Sequence, residues 1–182
     1  LSGLKMHLNL SKRDHKENDP NINEMLNDSI KELRNISQNL MPESLMKLGL
    51  EHALRDLCAS HSTPETAIEF QYLIKKTTLP QHFKIMIFRI IQELLNNALK
   101  YAKASQILVS CSQNKDVFFI TVEDNGVGFN VEYAEKRDGM GLRNIKNRVA
   151  FLNGKLEIDS VLDKGTSTYI ELKYNPNHDY EV

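Results

Sequence analysis

Tryptophan is absent from this 182-residue chain, cysteine occurs only twice and proline five times. The two cysteines, Cys58 and Cys111, lie far apart and form no paired metal-binding or redox spacing, so they read as plain thiols of a reducing cytosol. Charge of one sign is missing too: 23 Lys and Arg against 24 Asp and Glu leave a net charge of -1. Without a long basic run, a broad grip on a nucleic-acid backbone is excluded. No apolar run approaches the roughly 20 residues that cross a bilayer, and the N-terminus lacks a charged-then-apolar signal pattern. The chain therefore reads as cytoplasmic, with no membrane contact of its own. Its ligand should be small or proteinaceous. The histidines, His7, His15, His52, His61, His82 and His178, show no metal-ligand spacing and receive no catalytic role.

An initiating methionine is also missing. The chain opens as Leu1-Ser-Gly-Leu-Lys-Met-His-Leu-Asn-Leu10, an apolar-periodic stretch without a helix-start signal, so we expect it to begin inside a helix of something larger.

What is present is 41% hydrophobic and 26% charged, the balance of a globular protein with a sizeable core. Polar residues 11–21, closed by Asp19-Pro20, read as the loop of a helical hairpin. Ile22, Met25, Leu26, Ile30, Leu33, Ile36 and Leu40 then lay one apolar stripe at helical spacing until Met41-Pro42 ends it. A second amphipathic helix is expected over 48–59, with Leu50, Leu54 and Leu57 on one side, before a breaker run over 60–64. Residues 67–74 read as a strand. Pro80 opens a long helix through Tyr101 that buries Phe83, Ile87, Ile90, Ile91, Leu94 and Leu95. Residues 107–112 and 117–123 form a hairpin around Gln113-Asn-Lys-Asp116, residues 142–153 a helix ended by Gly154, and residues 156–161 and 166–174 two closing strands. The sum is a sheet layered on helices, followed by a frayed tail.

Four short segments occur along the second half: Glu93-Leu-Leu-Asn-Asn97, Asp124-Asn-Gly-Val-Gly128, Gly139-Met-Gly-Leu142 and Gly165-Thr166. Each alone is weak, but the ordered set describes an ATP pocket. Glu93 and Asn97, four apart on a helix, share a face, and Lys100 and Tyr101 follow at the next turn. Magnesium bound to nucleotide phosphates accepts only one or two protein oxygens, so the Asn97 carbonyl suits direct coordination while Glu93 orients water or acts as base. Lys100 supplies compensating positive charge. Asp124, delivered to a strand end, can accept a hydrogen bond from the exocyclic amine of adenine, which guanine lacks at that position. Gly126 lets the backbone approach the base. The bland alternative, a tight hairpin turn at Asn125-Gly126, conflicts with the polar, poorly periodic stretch 129–138, which reads as a mobile lid between Gly128 and Gly139. Gly139, Met140, Gly141 and Leu142 lead into a helix whose unpaired N–H groups attract phosphate. Thr166 completes the adenine side.

These motifs, spanning roughly Leu45 to Tyr174, resemble the catalytic domain of a sensor histidine kinase, in the wider ATPase group that includes gyrase, Hsp90 and MutL. The resemblance implies an α/β two-layer sandwich with a mixed, mostly antiparallel sheet. It also assigns Asn97 to magnesium, Glu93 to general base or water positioning, and Asp124 to adenine. Leu33-Arg-Asn-Ile-Ser-Gln-Asn-Leu-Met-Pro42, then Gly49-Leu50 and Ala53-Leu54, is similar to the subfamily of nitrate and degradative-enzyme sensors, where it forms the second dimerisation helix and its exit. Leu1 to Leu8 resembles the part of the first dimerisation helix just after that subfamily's phosphoacceptor histidine, so the acceptor is expected to be missing here. His178-Asp179 lies in a polar tail and is rejected for that role.

The expected organisation is thus a partial dimerisation hairpin over 1–42, a catalytic domain over 43–176 and a tail over 177–182. Its cofactors would be ATP and Mg2+, and its partners a second copy in the intact protein and the receiver domain of a response regulator. A serine kinase of the anti-sigma type with the same pocket, and a nucleotide-insensitive dimerisation module, are the rival readings.

Overall fold

A computed structural model describes residues 43–74, 79–136 and 140–173. The expected helical hairpin over 1–42, the tail over 177–182, Gly139 and Tyr174 lie outside the described residues.

Chain order gives α1 (Glu43–Lys47), α2 (Leu50–His61), β1 (Ala67–Leu73), α3 (Gln81–Asn97), a π-helical segment (Ala98–Ala102), β2 (Gln106–Asn114) and β3 (Val117–Asp124). It continues with α4 (Val131–Lys136), α5 (Met140–Phe151), β4 (Lys155–Val161) and β5 (Gly165–Lys173). The five strands form one sheet in the order β1-β2-β3-β5-β4. β1 and β2, joined through α3, run parallel, whereas the β2–β3, β3–β5 and β4–β5 pairs are antiparallel. A hairpin suffices for the antiparallel neighbours, but a parallel pair needs a crossover, which the long apolar helix supplies. The mixed, mostly antiparallel α/β fold is the one the sequence suggested.

Strand alternation sorts the two faces of the sheet. In β3, Phe118, Ile120 and Val122 are buried while Phe119 stands 38% exposed on the other side. α3 covers the buried face because its apolar residues, at steps of three and four, leave Phe83, Ile87, Ile90, Ile91, Leu94 and Leu95 inside. Each such side chain contributes about 1.5–3 kcal/mol by leaving water. The ring of Phe83 meets that of Phe118 edge-on, with centroids 5.7 Å apart, so helix and sheet are keyed at that point.

Several boundaries differ from the sequence reading, each for a local reason. The helix expected over 48–59 is α2, shifted to Leu50–His61, and a short α1 that the sequence reading lacked precedes it, set apart by Gly49 at φ 90. The long helix does not run on to Tyr101 as an α-helix, since its last five residues widen into π geometry and Lys103 turns left-handed at φ 52. Residues 129–138 contain a short helix, α4, which Asn130 starts by accepting the Tyr133 N–H on its side-chain oxygen at 2.8 Å. α5 begins at Met140 instead of Leu142. Its left-handed terminator is Asn153, at φ 52, instead of Gly154. Gly154 is needed for space: a Cβ there would lie 2.8 Å from the Glu171 carbonyl oxygen.

Candidate functional site

α3 carries Glu93 and Asn97 one turn apart, both half-buried. α5 lies against them at Gly141, where a Cβ would stand 2.7 Å from Glu93 Oε1, 3.4 Å from Asn97 Oδ1 and 3.5 Å from Asn97 Nδ2. The first and third motifs therefore meet at a point. Gly141 is helical, so what it supplies is room beside the carboxylate, not the unusual dihedral angle expected for it. Met140 and Leu142 flank it on the first turn of α5.

The second and fourth motifs meet at the other end of the π segment. β3 delivers Asp124 opposite Thr166 of β5 in the antiparallel register. One Asp124 oxygen, Oδ1, accepts the Gly126 N–H at 2.9 Å, which orients the carboxylate. Gly126 is buried against Ala102, and a Cβ there would fall 2.2 Å from the Ala102 carbonyl oxygen. That carbonyl accepts the Val127 N–H at 2.8 Å, tying the glycine loop to the end of α3. Gly128 has φ 58 and Gly165 φ 98; side chains at these positions would collide with the Val161 and Asp124 carbonyl oxygens at 2.1 and 1.9 Å. Only glycine fits either place.

Lys100 and Tyr101 sit on the π segment between the two groups. Both are exposed, with Lys100 Nζ 5.1 Å from the centre of the Tyr101 ring. A π segment inserted at a helix end is a recurrent feature of functional sites, and here it carries the chain from Asn97 to the carbonyl that anchors Val127.

Two contributors escaped the sequence reading. Asn125 bonds back to Ser105 and Gln106 through its side chain. Ser160 of β4 accepts the Phe129 N–H at 2.9 Å and lies 3.0 Å from the Thr166 hydroxyl, so it links the strand past Gly128 to the fourth motif. Asn125 lies inside the second motif, but its spacing gives no sign of these bonds. Nor does Ser160 give one, because its proximity to Thr166 depends on the β4–β5 register.

Glu93 and Asn97 offer a carboxylate and an amide oxygen on one helix face, hard donors of the kind magnesium takes, and phosphate and water would fill its remaining positions. A cleft of about 430 Å³ lies elsewhere, over β3, β5 and β4 between Phe119, Tyr169, Lys155 and Glu157. It holds none of the motif side chains. One turn before Glu93, the Arg89 pKa is lowered by burial and then by the neighbouring charge of Arg148 on α5. The Cys58 and Cys111 thiols are pushed up to about 11 and about 12 by burial, so both stay protonated at neutral pH. No helix among the described residues is long and apolar enough to cross a membrane.

A half-buried carboxylate and amide thus lie against a glycine at a helix start, while an aspartate stands at a strand end beyond the π segment. Residues 84–176, just over half the chain, match the family of histidine kinase-, DNA gyrase B-, and HSP90-like ATPases, and the chain belongs to that family. Within it, the chain is homologous to two-component sensor histidine kinases.

It is 33% identical over 153 residues to the signal transduction histidine-protein kinase/phosphatase DegS of Brevibacillus brevis, covering 83% of this chain and 39% of that protein. To the oxygen sensor histidine kinase NreB of Staphylococcus carnosus it is 30% identical over 157 residues, covering 86% of this chain and 45% of that one. The chain thus spans less than half the length of these relatives. The histidine kinase domain of the Erythrobacter litoralis blue-light activated histidine kinase shares the fold, with a TM-score of 0.57 at 21% identity over 68% of this chain and 60% of that one.

Proposed function

We propose that this chain is the ATP-binding catalytic part of a sensor histidine kinase that moves the γ-phosphoryl group of ATP to a histidine of its dimerisation helices, for relay to a response regulator. The observation that carries the proposal is the convergence of Glu93 and Asn97 on Gly141.

In this reading Asp124 holds the adenine amine through the oxygen not engaged by Gly126, and Thr166 completes that side. Gly126 and Gly128 shape the loop beneath the base. The start of α5, at Met140, Gly141 and Leu142, faces the phosphates, with Lys100 and Tyr101 along the rim. Asn97 holds magnesium, which, when bound, would neutralise phosphate charge. Glu93 orients the attacking histidine or takes its proton.

The bond from the γ-phosphorus to its bridging oxygen breaks, a nitrogen–phosphorus bond forms, the ring proton leaves toward Glu93 or water, and ADP departs. Most of the acceleration comes from positioning and charge, as in other phosphoryl transfers. The intact protein acts as a homodimer on the cytoplasmic side, with this part touching neither nucleic acid nor membrane.

The test uses γ-labelled ATP with this chain joined to its full dimerisation helices. Acid-labile label on a histidine, lost in Glu93→Gln, is the expected outcome. Acid-stable label on serine, or steady hydrolysis with no labelled protein, contradicts the proposal.

A further inference from the structure

Asn125 stands between the aspartate and the glycine of the second motif, and its side chain points away from both, toward the start of β2. Its Oδ1 accepts two backbone N–H groups, from Ser105 at 3.0 Å and Gln106 at 2.9 Å. Its Nδ2 donates to the Ser105 hydroxyl at 3.0 Å, and its own backbone N–H donates to the Gln106 carbonyl at 3.2 Å. The ladder between β2 and β3 ends at the Ile107–Asp124 pair, so these bonds carry the attachment of β3 to β2 one residue further, to Asn125.

The residues they hold also matter. Ser105 and Gln106 follow directly on the π segment, through Lys103 and Ala104, and Ala102 of that segment anchors Val127 and packs against Gly126. Asn125 therefore closes a ring that runs from Asp124 across to β2, back through the π segment to Ala102, and on to Gly126, whose N–H returns to Asp124 Oδ1. Opening the ring at Asn125 leaves the Asp124 carboxylate held on one side only. Because Asn125 is exposed, its bonding partners can turn to water when it is removed, so the effect should fall on geometry more than on folding.

We infer that Asn125 is a positioning residue for base recognition: it holds Asp124 at the angle that distinguishes adenine from guanine, without touching the nucleotide. This rests on the reading that Asp124 meets the adenine amine.

The test measures ATP and GTP affinity, together with melting temperature, for the unaltered chain, Asn125→Ala and Asn125→Asp. Asn125→Asp keeps both acceptor bonds and can take the Ser105 hydroxyl proton in place of donating to it. In Asn125→Ala, ATP affinity should fall about tenfold, the worth of one or two such hydrogen bonds, with GTP binding unchanged and melting shifted by only a few degrees. Asn125→Asp should stay within about threefold of the unaltered chain. An ATP-to-GTP ratio unchanged in Asn125→Ala overturns the inference while leaving the pocket in place, as does an aspartate variant no better than alanine. An unaltered chain that binds ATP and GTP alike overturns the Asp124 reading and this inference with it.

Discussion

Replacing Gly141 with alanine separates what the fold needs from what the chemistry needs. The added methyl would stand 2.7 Å from Glu93 Oε1, about 0.7 Å inside ordinary van der Waals contact, which starts at 3.4 Å. The obstructing atom ends a side chain whose last torsion is soft, so the carboxylate can swing away at little cost. Alanine is also the better helix former, by up to about 1 kcal/mol. The melting temperature should therefore move by only a few degrees in either direction.

Glu93, however, would be displaced from the point it shares with Asn97. A misplacement of about 1 Å in a reacting group can cost about a hundredfold in rate, so a shift of about 0.7 Å predicts a loss of more than about tenfold in phosphoryl transfer at saturating ATP. The assay is single-turnover labelling from γ-labelled ATP of the chain joined to dimerisation helices that carry the acceptor histidine, run beside a thermal melt of the same sample. A variant that melts normally and transfers at full rate would refute the role given to Glu93. One that melts far lower would show that the close approach at Gly141 serves the fold instead.

Gly165→Ala should behave in the opposite way: its φ of 98 and the Asp124 carbonyl 1.9 Å from the new carbon leave nothing soft to move, so a loss of about 3 kcal/mol or more is expected in a denaturant titration. The thiols predict an alkaline limit to stability. Cys58 and Cys111 ionise near 9 when exposed, but near 11 and 12 when folded. Their contribution is thus intact below pH 9, and lost as pH rises through the folded values, because the unfolded chain releases its protons first. Denaturant midpoints should be flat with respect to these groups below pH 9 and fall above it, and Cys111→Ser should flatten part of that fall.

The long helix and the strands were legible because burial writes itself into spacing: α3 repeats its apolar residues at three and four, and β3 alternates Phe118, Ile120 and Val122 inward. Short elements were not. α4 has too few turns to show a period, and only Asn130 marks its start. The π segment is invisible because Ala98 to Ala102 would suit an α-helix equally well.

In the candidate site, some motif glycines serve a different end from the one their spacing suggests. Gly141 and Gly154 read as conformational glycines, whereas each makes room for a neighbour that is distant in sequence. Such pairings, like that of Ser160 with Thr166, are set by how helices and strands pack, which no local pattern encodes.

The most direct measurement is calorimetric titration of ADP and a non-hydrolysable ATP analogue into this chain, with and without magnesium, beside Asp124→Ala. Binding that magnesium strengthens and that Asp124→Ala abolishes in a folded sample is the predicted result. A folded chain that binds neither nucleotide, or an Asp124→Ala variant that binds as tightly as the parent, would contradict the pocket described above.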